Sequence, residues 1–387
     1  MNVGYSPELT VLLRACAVEL SAEQTVQFTQ LLTQHPPNWE RLYTLAGRHR
    51  LTPFLYRTLQ DIPAIPESFL ATLRRDCQLS ATDNLLKLRE YHQVARLLAD
   101  DGIAHIAYKG VYLAENGYPD PGLRICGDID LLISTEATPQ AIRLLQAHQY
   151  SLNKKHTLYW EHDARSLLDD LYEVSLFKPF FANHFDIDLH WAVVCFNKHY
   201  HTFRLDDFLS QPTFSTELQV VLLVTHHGVT NIWQHVYYVN DLYFLLKDKP
   251  INWAWLLDKI RLYGLENVFL VGLYWCQQVW MLPLPPTIQG LVDMKPVQIL
   301  AAMYEQNWEL DQPLDMSNLV LKQLTFFADA QTHWAKLLRI FFTFLTSRVF
   351  RASTFKIGKR LIYIPKELGF ITVFIRAGRS LQRLLPG

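Results

Sequence analysis

The run Gly127-Asp128-Ile129-Asp130-Leu131-Leu132-Ile133 constrains this chain more than any other stretch. Acids alternate with branched apolar residues, and successive side chains of a β-strand face opposite sides. Asp128 and Asp130 therefore share one face of a strand over residues 128–133, while Ile129, Leu131 and Ile133 anchor the other. An oxygen pair so placed is what hard divalent cations take. Tyr108-Lys109-Gly110 and Arg124 precede it, so a glycine turn and two cations lead into the acids. The pattern reads as a metal-dependent nucleotide site.

The neighbouring segments suit a sheet flanked by helices. Residues 103–107 are short, apolar and β-capable after the helix-ending Asp101-Gly102. Thr138 with Pro139 reads as a helix cap and first turn, leading into a helix over 141–148. Strands are expected over 171–177 and 185–191. Helical spacing fills the N-terminal region, ending in a helix over 82–99, and returns over 217–226, 236–247, 253–263 and 267–279. The resulting division is a helical region 1–100, an α/β core 101–204, a helical region 205–330 and a tail 331–387.

Composition narrows the class. With 387 residues the chain can bury a large core, and 13% aromatic with 19% charged residues is far from a disordered profile. A net charge of −1 leaves no global attraction for nucleic acid or anionic lipid, so any such partner must meet a local patch. The tail supplies one, with eleven Lys or Arg against the single acid Glu367, interleaved with Phe341, Phe342, Phe344, Phe350, Phe355, Phe370 and Phe374. Five scattered cysteines lack metal or disulfide-framework spacing and suit a reducing compartment. Glu8, Arg14, Glu19 and Glu23 interrupt the apolar core that a secretory signal needs. Arg339, Arg348 and Arg351 break the best candidate for a spanning helix. A cytoplasmic protein is expected.

Phosphoryl and nucleotidyl transfer need cations that offset phosphate charge, and carboxylates hold them. Asp186-Ile187-Asp188-Leu189-His190-Trp191 offers a third carboxylate on another strand, with Asp188 preferred over Asp186. A DxD pattern alone also suits turn formers or solvated edge residues. Taken singly, Lys109 reads as a solvated turn lysine, and Arg124 as an exposed ion pair with Asp120 or Glu115. His190 reads as a core histidine held by a hydrogen bond beside the site. His226 and His227 point in different directions on a helix with no cysteine near, which argues against zinc. Asp241 reads either as an acceptor-binding or base residue or as a cap or ion-pair residue. Trp233, Tyr237 and Tyr238 read as helix packing.

In combination these residues resemble the DNA polymerase beta-like nucleotidyltransferase superfamily. The likeness is closer to its uncharacterised nucleotidyltransferase family, in which a Lys-Gly turn replaces the usual Gly-Ser. The residues that carry it are Tyr108-Lys109-Gly110, Arg124, Gly127 through Ile133 and Asp188-Leu189-His190-Trp191. Arg48-His49-Arg50-Leu51-Thr52-Pro53 upstream and His226, Trp233, Tyr238 and Asn240-Asp241-Leu242 downstream also match, so the resemblance spans about residues 39–283.

The resemblance implies an α+β fold, a mixed α/β sheet of the polymerase beta-like kind between N-terminal and C-terminal helical regions. It also implies that Asp128, Asp130 and Asp188 hold two Mg2+ ions, with Mn2+ as an alternative. Gly110 would admit the phosphates of an NTP to the backbone and the following helix. Lys109 and Arg124 would add positive charge, and His190, His226 and Asp241 would stand behind the site or on its acceptor side. The implied reaction moves an NMP from the NTP to a hydroxyl of a small molecule, protein or RNA, with release of pyrophosphate. Two rivals remain at this point: an inactive nucleotide-binding scaffold at a membrane, and a kinase using the same metal site. For the basic tail, amphipathic packing against the body leads; Lys356, Lys359 and Arg360 beside Phe355, Ile357, Leu361 and Ile362 read as a solvent-facing helix or as a peripheral contact with the inner membrane surface, with nucleic acid below both.

Overall fold

Alternation at the first acids does produce a strand, but a more deeply enclosed one than a two-faced pattern implies. In the computed structural model, His105–Ala107 (β1), Ile129–Ile133 (β2), Ser151–Leu152 (β3), Glu173–Phe180 (β4) and Asn183–His190 (β5) form one sheet in the order β1-β2-β5-β4-β3. Only the β2–β5 pairing is parallel; the other three neighbours are antiparallel. All five residues of β2 are buried, so Asp130 faces the interior. Asp128 stands one residue before the strand and is half-buried. The fold is α+β, as the resemblance implied.

The structure describes residues 4–16, 20–181, 183–193, 204–331, 338, 342, 353–357 and 360–372. The chain forms two compact units, each built from three separate stretches. The sheet unit comprises His92–Ala107, Asp128–Ser210 and Thr332–Gly387; the helical unit comprises Met1–Tyr91, Tyr108–Gly127 and Gln211–Gln331.

In the sheet unit the helix Thr138–Ala147 starts three residues earlier than its apolar spacing suggests. Thr138 is not its cap: Ser134 accepts from the Ala137 N–H at 3.1 Å, and the Thr138 hydroxyl donates to the Ser134 carbonyl at 2.9 Å. The helix Lys154–Asp170 was not anticipated. Its polar composition hides the period, although Asn153 caps it by accepting from the His156 N–H, and Tyr159 and Leu167 are buried.

The tail corrects another expectation. Ser353–Ile357 (β6) and Arg360–Ile364 (β7) pair as an antiparallel hairpin instead of forming an amphipathic helix. β-Branched Thr354, Ile357, Ile362 and Ile364 favour a strand. Phe341, Phe344, Phe350 and Phe374 of the basic aromatic patch lie outside the described residues. Among the described residues no helix is long and apolar enough to cross a membrane.

The helical unit contains the helices Pro7–Ala15, Ala22–Gln34, Trp39–Arg48 and Thr52–Leu59, together with most of Glu67–Asp100. Pro66 stands just before that last helix, which extends well upstream of the expected 82–99. Further along, Ser215–Leu223 runs directly into a π-helix, Val224–Thr230, which is followed by Val236–Leu246, Trp253–Leu262 and Glu266–Trp280. Their core is aromatic: Trp275 lies 6.5 Å from Trp233 and 5.0 Å from Trp308 between ring centroids.

Glycine makes room for Trp233. A Cβ at Gly228 would lie 2.4 Å from Val268 Cγ1 and 2.9 Å from Trp233 Nε1. Gly228→Ala should therefore destabilise the protein by about 1–3 kcal/mol through overpacking. Urea unfolding checks this, and an unchanged midpoint would contradict it.

Candidate functional site

Two strands bring the acids together. In the parallel register Asp130 sits opposite Asp188, flanked by the pairs Ile129–Ile187 and Leu131–Leu189. Alternation places Asp128 on the Asp130 side, and Asp186, Asp188 and His190 on one side of β5. Asp130, Asp188 and His190 each present a ligand atom, and these atoms lie within 4.8 Å of one another. Asp186 is differently engaged, its carboxylate 3.2 Å from His184 near solvent.

His190 is a member of this cluster and not only its neighbour. Its Nε2 lies 3.0 Å from Asp130 Oδ1, and its Nδ1 lies 3.1 Å from Glu173 Oε2. The ring is buried and bridges two carboxylates. Glu173 and Ser175 are the residues that sequence reasoning missed. Ser175 stands opposite Asp188 and hydrogen-bonds it, and Glu173 stands opposite His190. The β4–β5 hairpin sets both pairings, with Phe180 opposite Asn183, so the short connection after Phe180 was the signal that could have found them.

The cluster concentrates negative charge. Burial pushes the Asp188 carboxyl up to about 7, the Asp130 charge adds to this, and Asp128 adds a further contribution against the opposing pull of His190. A divalent cation relieves such repulsion, and the two carboxylates fit a hard ion. An imidazole donor suits Mn2+ better than Mg2+, but both nitrogens of His190 already face carboxylates.

The helical unit holds a second buried polar network. Arg124 grips Asp241 through two hydrogen bonds, Nε to Oδ1 at 2.7 Å and Nη2 to Oδ2 at 2.9 Å. Tyr118 donates to Oδ1 at 2.6 Å, and His227 Nε2 lies 3.0 Å from Oδ2. This overturns the exposed pairing expected of Arg124 with Asp120 or Glu115. Arg124 is buried, its charge is matched by Asp241, and the Asp120 side chain accepts from the Gly122 N–H instead.

Burial alone would raise the Asp241 carboxyl, yet Arg124 and then His227 hold it down to about 2. Burial lowers His227 to about 4, so its ring is neutral at ordinary pH. With Nε2 donating to Asp241, His227 Nδ1 is the acceptor, and it faces His226 Nδ1 at 2.9 Å. The π-helix positions both histidines, with His226 half-buried.

Lys109 is likewise not the solvated turn lysine of the sequence reading. It is only 6% exposed and adopts φ 54°, ψ −142°, a conformation that glycine tolerates and lysine does not favour. Its Nζ lies 4.8 Å from the centre of the Tyr108 ring. Gly110 opens the short helix Gly110–Asn116.

A family model described as an uncharacterised nucleotidyltransferase matches residues 35–281, well over half of the chain. The chain belongs to this family. The matched span of this nucleotidyltransferase includes the carboxylates of β2 and β5 as well as the Arg124–Asp241 pair, and it ends before the basic tail. No curated protein and no solved structure matches the chain.

Proposed function

We propose that this protein is a divalent-cation-dependent nucleotidyltransferase of the cytoplasm that moves an NMP from an NTP to an acceptor hydroxyl and releases pyrophosphate. The observation that carries the reading is Asp130 beside Asp188 on adjacent parallel strands, with His190 set against Asp130 in the same cluster. Asp130 and Asp188 hold Mg2+ or Mn2+, and Asp128 adds its carboxylate at the mouth of β2. When bound there, the cations offset triphosphate charge and make the acceptor hydroxyl more acidic.

The remaining residues position. His190 fixes the orientation of Asp130 through the 3.0 Å contact and is itself steadied by Glu173. Gly110, without a Cβ, and Lys109 are the residues of the helical unit that the family resemblance assigns to the nucleotide phosphates. Arg124 acts by anchoring, since its charge is matched by Asp241.

The test uses NTPs labelled at the α-phosphate, Mg2+ and a panel of small-molecule, protein and RNA acceptors. Wild-type protein should transfer label, with the acceptor gaining the mass of a nucleotide, and Asp130→Ala should transfer none. Full transfer by Asp130→Ala, or the mass of a lone phosphate on the acceptor, would defeat the proposal.

A further inference from the structure

Glu305 is an acid at the end of a helix that favours a base. It closes the helix Lys295–Glu305, whose last turn carries no basic residue, so its carboxylate stands where free carbonyls already concentrate negative charge. Glu309, four residues on, has Arg41 at 3.1 Å, whereas among the described residues no cationic side chain pairs with Glu305.

Its partners are neutral donors. The Tyr5 hydroxyl donates to Oε2 at 2.7 Å, and the Trp275 Nε1–H donates to the same oxygen at 3.2 Å. Burial, and then the Glu305 charge, push the Tyr5 hydroxyl well above its ordinary range, so it stays protonated and keeps donating. A carboxylate can accept about four hydrogen bonds. Both bonds made here go to Oε2, and among the described residues none reaches Oε1.

This half-buried carboxylate lines a pocket that lies wholly within the helical unit. The rings of Tyr5, Tyr274 and Trp275 and the aliphatic Leu13 and Val279 surround it, with Gln278 beside them. Tyr274, Trp275, Gln278 and Val279 share one face of the helix Glu266–Trp280, being about one turn apart. Leu13 and Trp275 are buried and close the inner end, while Gln278 is exposed and stands at the mouth. The pocket has about 360 Å³ of empty space counted out into solvent, and its enclosed part holds little more than a water-sized group.

We propose that this pocket binds a primary alkylammonium, its –NH3+ head donating to Glu305 among the rings of Tyr5, Tyr274 and Trp275 and its aliphatic stem leaving past Val279 and Gln278. The carboxylate supplies charge-assisted hydrogen bonds, and the aromatic faces attract the cation. An –NH3+ head is close to water in size and suits the enclosed part. A quaternary ammonium is too bulky for it and has no N–H to donate. The site contains none of the metal-binding carboxylates and does not rest on the nucleotidyl-transfer reading.

Ligand-observed NMR titration of the full chain, without metal or nucleotide, tests this with n-butylammonium, putrescine, N-acetyl-lysinamide, tetramethylammonium and butanol. n-Butylammonium should bind at least tenfold more tightly than its neutral analogue butanol and than tetramethylammonium. Tighter binding of putrescine than of N-acetyl-lysinamide would point to a free polyamine as the source, and the reverse to a lysine side chain. Glu305→Gln keeps an oxygen for Tyr5 and Trp275, so it should stay folded by urea unfolding yet bind n-butylammonium at least tenfold more weakly. No binding of n-butylammonium by wild-type protein, a preference under tenfold, or a loss under tenfold in folded Glu305→Gln overturns the proposal.

Discussion

Asp188→Asn should lower nucleotidyl transfer by about a thousandfold or more, equivalent to about 4 kcal/mol of barrier, while stabilising the cation-free protein. The two effects have one origin. Asp188 is a buried acid held beside Asp130 and near Asp128, with its carboxyl pushed up to about 7 from an ordinary value of 3.8. Between those values the folded protein retains a proton that the unfolded chain has released. Stability from this group is therefore highest at low pH and falls as pH rises from about 4 through about 7. Asparagine keeps the shape, removes the charge and abolishes that slope. Urea unfolding in EDTA at pH 8 should give Asp188→Asn about 1 kcal/mol or more of added stability. A variant less stable than wild type under those conditions would show that the acids do not repel one another as described.

Asp241→Asn should act in the opposite sense, destabilising the protein by about 3–5 kcal/mol at pH 7 because it leaves Arg124 buried with its charge uncompensated. The pH dependence follows from the same network. Asp241 ionises at about 2 in the fold against 3.8 ordinarily, so its contribution is complete above about 4 and is lost as pH falls through 2. His227 takes a proton only near 4 against 6.5 ordinarily, so the unfolded chain gains protons first and stability declines as pH falls from 6.5 to 4. Acid should therefore weaken the helical unit over the range in which it relieves Asp188. Chemical denaturation of wild type and Asp241→Asn at pH 7 measures the first effect, and a loss below about 1 kcal/mol would mean that the buried pair does not hold the network.

What the chain disclosed in advance depended on how local each signal was. β2 was legible because five consecutive residues carry its pattern, and Gly127 and Asp128 mark where it begins. The link between Asp130 and Asp188 came through the family resemblance, since a parallel pairing leaves no trace in either strand alone. Glu173 and Ser175 escaped because they act through the register of a hairpin. Arg124 was assigned to acids nearby in the chain, whereas its partner Asp241 is 117 residues away. The π-helix was hidden for a different reason: Val224–Thr230 continues an apolar helical stretch, and periodicity does not report the extra residue in its turn. Lys109 looked solvated because lysines usually are, and only its backbone angles and 6% exposure show otherwise.

The pairing of β2 with β5 places a repulsive pair of acids inside a ladder held by Ile129, Leu131, Ile187 and Leu189, all fully enclosed. Those aliphatic neighbours supply the cohesion, so the acids ride on a framework that does not need them. A lineage could exchange its carboxylates and keep its architecture. Loss of chemistry would then leave a folded, sturdier descendant, free to be recruited for recognition alone.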